Sequence, residues 1–224
     1  STSTSTSSAA SSAAPAYIVA DPSTSAGAHT AGTATGLFIS EYFEGSSNDK
    51  YLEIYNGTGE SIALSRIKLT KYNWSGTPSK YIGTQDFILN DAAGYAAGVT
   101  IPTDLAAGST LVIYNNSLDA TRCPNAAAVG LKGATYSKTA PITQVIAFNG
   151  DDGLSLSLDG TIVDVIGALN GSDIGFPASA APLPMADKKL IRKANKGADA
   201  NPWASATIDT TVWDNVAFMT GITP

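Results

Sequence analysis

Carboxylates carry most of the reactive chemistry in this sequence. Glu41, Glu44 and Glu53 lie on two neighbouring apolar-aromatic runs with Asp49 between them, and Asn149, Asp151 and Asp152 crowd one short turn. Paired carboxylates are what glycoside hydrolysis needs, one to donate a proton and one to attack or to activate water. Hard oxygen ligands also suit calcium, and Asp49, Glu53, Asp151 and Asp152 are the candidate metal ligands, although their spacing matches neither an EF-hand nor a nonapeptide repeat. Asx residues build turns without any ion, so the expected cofactor is none, with calcium as the alternative. Nucleophilic chemistry is poorly served. The sole histidine, His29, lies in a low-complexity stretch, and Cys123 has no second cysteine. Neither a Ser/His/Asp nor a Cys/His relay, nor a zinc site, nor an internal disulfide follows from that inventory. Trp74, Trp203 and Trp213 could stack on sugar rings, but packing is the commoner use of Trp in a small sandwich. The expectation is a chain that is not an enzyme.

The elements that must position these residues read as strands. Ile142 to Gly167 predicts a three-stranded meander of Val145–Phe148, Leu154–Leu158 and Thr161–Ile166. Asp159-Gly160 joins the last two as a type I′ turn, which needs positive φ at both central positions. That register sets Leu156 against Val163, Leu154 against Val165, and Ser155 against Asp164, with Asp164 bonded across to Ser155. Upstream, Leu37–Glu44 and Tyr51–Tyr55 predict a hairpin with Leu52 and Ile54 facing opposite to Tyr51, Glu53 and Tyr55. Ile62–Thr70 reads as one strand with Ile67 and Leu69 inward, the connection from Tyr72 to Gly108 as short strands and loops, and Thr110–Tyr114 as a buried strand. Lys188–Arg192 reads as a closing edge strand, and Thr211–Asp214 as a docked aromatic tail. No helix-period segment longer than about two turns occurs.

Composition divides the 224 residues into a tail and a globular remainder. Of residues 1–36, 26 are Ser, Thr or Ala and only Asp21 is charged, too little apolar surface to offset the entropy of ordering a backbone. Tyr17, Ile18, Val19 and Ala20 form its one apolar run, between Pro15 and Pro22, and read as a donor strand for assembly; O-linked glycans on the Ser/Thr residues are the other use of such a tail. Residues 37–167 form the expected core, and 168–224 a C-terminal extension of the same domain. A net charge of -6 with 14 % charged residues argues against nucleic acid, and suits secretion to the extracellular space or cell surface. No run of about eighteen apolar residues predicts a membrane span. Asn56-Gly-Thr58, Asn73-Trp-Ser75, Asn115-Asn-Ser117 and Asn170-Gly-Ser172 match the N-glycosylation pattern, as Asn-rich turns do by chance.

Many short strands without helices predict an all-β sandwich or barrel. Phe38-Ile-Ser-Glu-Tyr-Phe-Glu-Gly-Ser-Ser-Asn-Asp-Lys-Tyr-Leu-Glu-Ile-Tyr-Asn56, then Phe148-Asn-Gly-Asp-Asp-Gly153, Gly160-Thr-Ile-Val-Asp-Val-Ile-Gly167, Lys189-Leu-Ile-Arg-Lys193 and Val212-Trp-Asp214 come in one order. In that order they resemble the lamin tail domain family, and specifically its secreted bacterial branch. The resemblance implies an immunoglobulin-like β-sandwich and a binding or assembly role. The functional expectation is a structural subunit of an extracellular filament or surface appendage, a homopolymer in which each N-terminal tail lies head-to-tail against a neighbour. The alternative is a non-catalytic accessory or surface-anchoring module of a secreted enzyme such as a nuclease.

Overall fold

The computed structural model describes residues 34–45, 50–76, 79–95, 100–115, 128–131, 145–170, 173–175, 185–203 and 207–216. The first strands are β1 (Gly36–Glu44), β2 (Lys50–Gly57), β3 (Ile62–Ala63), β4 (Ile67–Gly76), β5 (Ser79–Ile88), β6 (Asp104–Leu105) and β7 (Thr110–Asn115). They are followed by β8 (Ala128–Leu131), β9 (Gly153–Leu158), β10 (Thr161–Ile166), β11 (Leu169–Asn170), β12 (Asp173–Ile174), β13 (Lys188–Arg192) and β14 (Trp213–Val216). One sheet has the order β14-β13-β1-β2-β7-β8 and the other β10-β9-β4-β5. They face each other across a core that draws Leu37, Ile39, Tyr42, Leu52, Ile54 and Ile113 from the first and Ile67, Leu69, Phe87, Leu154 and Leu156 from the second. Alternation explains that selection, since residues two apart on a strand share a face. The result is the all-β, immunoglobulin-like sandwich expected. Among the described residues the only helices are two 3₁₀ turns, Leu64–Arg66 and Ala92–Gly94.

The β1–β2 hairpin forms as expected, with Leu52 and Ile54 in the core. So does the Asp159-Gly160 turn, where φ is 50° and 81°. Beyond that turn the register departs from expectation. A bulge between Ile162 and Asp164 leaves Val163 without a directly opposed residue, so Leu156 faces Asp164, Ser155 faces Val165, and Leu154 faces Ile166. One inserted residue exchanges the faces of all that follow. Asp164 is therefore turned into the interior, fully buried, and is not bonded across to Ser155.

Three further expectations need correction. Val145–Phe148 is not a strand: it turns at Val145–Ile146 and uses Val145, Ile146 and Phe148 as core plugs. A four-residue apolar run has too few positions for its period to separate strand from irregular core. Ile62–Thr70 is broken by the 3₁₀ turn, and the Tyr72–Gly108 region opens with the second half of β4 and all of β5, a long hairpin whose strands are ten residues each. Lys188–Arg192 is not an edge, because β13 lies between β1 and β14. Lys189 on it reaches Glu41 across the sheet face. The 168–224 segment thus contributes two strands to the main sheet.

Candidate functional site

The candidate ligands separate into two places. On the outer face of the six-stranded sheet, Glu41 and Glu53 stand directly opposite each other on β1 and β2. Like charges in that relation repel, and each carboxylate is given its own donor. The Ser40 hydroxyl donates to Glu53 Oε1 at 2.6 Å, while the Tyr51 hydroxyl donates to Glu41 Oε2 at 2.9 Å and Lys189 Nζ lies 3.2 Å from the same oxygen. Burial, with the Glu41 charge adding and the Ser40 hydrogen bond opposing, pushes Glu53 up to about 7, so this carboxyl takes up or releases a proton near neutrality. A carboxyl that titrates near neutrality beside a second carboxyl is what acid–base chemistry uses. Both, however, are under 10 % exposed and lie on a sheet face beside the stacked rings of Phe43 and Tyr51. A pocket of about 590 Å³ lies elsewhere, among Ser65, Asn90, Ile101 and Asp104, without a nucleophile–base pair.

Glu44, Asp151 and Asp152 belong to the second place, the space between the sheets at the C-terminal end of β1. Alternation along β1 puts Glu44 on the same face as Tyr42, and along β4 puts Lys71 with Ile67 and Leu69. Lys50 Nζ donates to Glu44 Oε1 at 2.5 Å, and the Asp187 N–H donates to Glu44 Oε2. Lys71 Nζ donates to the Ala147 carbonyl at 3.1 Å and stands 3.7 Å from Asp152 Oδ2. Asp152 Oδ1 accepts the Trp74 N–H at 2.9 Å. Burial pushes Asp152 up and Lys71 down, each partly opposed by the charge of the other. Burial and the neighbouring Asp152 raise Asp151 to about 6. Among the described residues, Asp151 Oδ1 and the hydroxyl of fully buried Tyr42 have no hydrogen-bond partner. Among the described residues no three His, Cys, Asp or Glu side chains gather as a metal-binding set; the counter-charges of Asp152 and Glu44 are lysines.

Asp164 builds a third polar centre, at the other end of β1. Its Oδ2 accepts from Arg192 at 2.6 Å and from the Ile39 N–H at 2.9 Å, and its Oδ1 accepts the Asp199 N–H at 2.9 Å. Arg192 also donates to the carbonyls of Ile39 and Gly197, with its guanidinium between the rings of Phe38 and Trp213 at 5.1 and 4.5 Å. Because β10 and β13 belong to different sheets, this ion pair ties the two layers together.

The edges of the four-stranded sheet differ. Beside β10, the Val165 N–H donates to Asp199, the Trp203 N–H donates to Gly167, and Ala168 bridges Trp203, so residues 199–203 cover that side. Among the described residues β5 pairs with β4 alone. The Leu89 N–H donates to Ile67 on β4, so by alternation the N–H groups of Thr84, Asp86 and Ile88 point outward. Ile82 and Ile88 are 51 % and 45 % exposed on this strand.

Of the residues singled out in the sequence, Tyr17, Ile18, Val19, Ala20, His29, Asp49 and Cys123 lie outside the described residues. Trp203 and Trp213 are buried, and Trp74 donates its indole N–H to the Ile174 carbonyl at 3.0 Å. Asn56 is fully buried and bonds the carbonyls of Glu60 and Leu105. The inward Lys50, Lys71 and Arg192 were missed, although alternation with apolar neighbours carried the signal for all three.

No curated protein matches the chain. The family model described as Lamin Tail Domain matches residues 30–169. That match stops short of β13 and β14, which complete the same sheet. With the sandwich and more than half of the sequence in agreement, the chain belongs to the lamin tail domain family, an immunoglobulin-like and generally non-catalytic class of domains.

Proposed function

We propose that this protein is a structural subunit of an extracellular filament, assembling when the N-terminal tail of one copy adds as a strand to the sandwich of the next. The observation that carries the reading is the asymmetry of the four-stranded sheet: the β10 edge is covered by residues 199–203, whereas among the described residues the outward N–H groups of Thr84, Asp86 and Ile88 on β5 meet no further strand. Exposed edges invite pairing with another chain, and natural proteins usually blunt them. Here a bulge at Ile82, next to Gly83 with φ at 123°, and the half-exposed Asp86 blunt the edge, while the Thr84–Ile88 ladder stays regular. Tyr17 to Ala20, four residues against the five of that stretch, is apolar on both faces, complementing Ile88. Donor and acceptor patches differ, so repetition gives an open fibre.

Two variants test the reading. Removing residues 1–30 keeps Ala34, which packs on Phe38 and Tyr55, and deletes the donor. Thr84→Pro removes an outward N–H while leaving the β4 ladder intact. Both should remain folded by circular dichroism and sediment as monomers, where the parent chain forms fibres in negative-stain images. Fibres persisting in either variant, or a parent chain that stays monomeric at high concentration, would overturn it.

A further inference from the structure

The second polar centre holds a lysine and an aspartate that are close and buried, with a separation longer than an ordinary hydrogen bond. Lys71 and Asp152 have side chains 4 % and 3 % exposed, on β4 and immediately before β9, two hydrogen-bonded neighbours. Their 3.7 Å N···O separation contrasts with 2.5 Å for Lys50–Glu44 and 2.6 Å for Arg192–Asp164. The amine is held from behind by the Ala147 carbonyl, and the carboxyl is gripped through Oδ1 by the Trp74 N–H. Beside them, among the described residues, one oxygen of the Asp151 carboxyl and the Tyr42 hydroxyl have no partner, and that hydroxyl sits within electrostatic reach of both aspartates. The Tyr42 ring stacks on Phe148 at 4.6 Å, an apolar wall at this end of the sandwich.

We propose that Lys71 and Asp152 condense into an intramolecular amide, a covalent cross-link between β4 and the start of β9. The neutral Lys71 amine attacks Cγ of the protonated Asp152 carboxyl, and the new C–N bond forms as negative charge gathers on Oδ1. The Trp74 N–H is already aimed at that oxygen, as a fixed donor for a developing oxyanion must be. Asp151 takes the proton released by nitrogen and delivers it to Oδ2; the C–Oδ2 bond then breaks and water leaves. One amine and one acid become one amide and one water, with no oxidant or activating group required.

The environment favours each part of that step. Burial lowers the Lys71 amine and raises Asp152, so both move toward the uncharged forms that react. Asp151, raised to about 6, can accept and return a proton close to neutrality. Fixing the partners in one geometry replaces an intermolecular encounter, an advantage worth effective concentrations on the order of 10⁵ M or more. Lys50–Glu44 lacks this disposition, because Glu44 is held as an acceptor by both Lys50 and the Asp187 N–H.

The test is independent of filament assembly. The intact mass of the purified full chain should fall one water below the sequence mass, and a peptide map should yield a branched species joining the Lys71 and Asp152 peptides. Lys71→Arg should restore the full mass. Asp151→Asn should slow the loss of water after refolding, with Asp151→Glu recovering the rate and its pH profile. A folded parent chain of full mass overturns the proposal. So does a loss of water that survives Lys71→Arg, since the bond would then lie elsewhere.

Discussion

Asp164–Arg192 and the Lys50–Lys71–Asp151–Asp152 centre lie at opposite ends of β1 and solve the same problem differently. Each places charge between two sheets, where an unpaired ion would be several kcal/mol too costly to keep. At Asp164, both carboxylate oxygens have a backbone N–H, and the guanidinium donates to a carboxylate and two carbonyls while lying between Phe38 and Trp213. At the other end, two lysines are distributed over three carboxylates, and among the described residues Asp151 Oδ1 and the Tyr42 hydroxyl are left over. A saturated centre is a fastener. An unsaturated one keeps reactive groups in a dry place without quenching them, which is the arrangement a chemical step requires.

The largest way to break this comparison is Arg192→Met. It strands Asp164 between the sheets, and removal of one partner from a buried pair costs about 3–5 kcal/mol. The loss should depend on pH in a defined direction. Burial pushes Asp164 up to about 6 against the pull of Arg192, so the native state holds that proton more tightly than the unfolded chain does. The favourable contribution of protonation is complete below about pH 4 and is lost as pH rises through about 6. Without the guanidinium, Asp164 climbs further. Denaturant unfolding should therefore show the variant's deficit at its greatest near pH 8 and reduced near pH 4. A deficit independent of pH would mean that Arg192 acts by packing alone.

How far these centres could be read from the sequence depended on one feature, the regularity of alternation. Lys71 falls two residues beyond Leu69 and four beyond Ile67, and Arg192 two beyond Leu190, so a strict period-two reading places both cations on the core face. The same reading placed Leu52 and Ile54 correctly. Asp164 was beyond its reach, because the bulge at Val163 shifts the face of every later β10 residue and no Gly or Pro marks it. The partners of Asp164 come from Ile39, Arg192 and Asp199, up to 125 residues away, and local pattern carries no information about such pairings. Val145–Phe148 failed for a different reason: a buried irregular run and a short buried strand have the same composition.

A middle-sized effect is expected from Lys50→Met, which breaks the ion pair with Glu44 in the unsaturated centre. Glu44 keeps the Asp187 N–H, and a methionine retains most of the stem that lies near Phe148. The cost should be about 2 kcal/mol, less than that of Arg192→Met under the same conditions. Equal costs would erase the distinction between the two ends of β1.

Tyr42→Phe gives the smallest and sharpest contrast, because its sign is diagnostic. A buried hydroxyl without a partner carries a desolvation penalty, so deleting it while keeping the ring on Phe148 should stabilise the fold by about 1 kcal/mol. The equivalent deletion in the saturated centre has no such upside, since each Asp164 oxygen has a donor. Thermal unfolding near neutral pH reads the difference directly. If Tyr42→Phe instead destabilises, an ordered water joins the hydroxyl to Asp151 Oδ1, for which a water needs two to four polar partners. That end of the sandwich would then be saturated through solvent, and water beside Lys71 and Asp152 would oppose their condensation, so the sign of this one substitution bears on both the fastener and the chemistry.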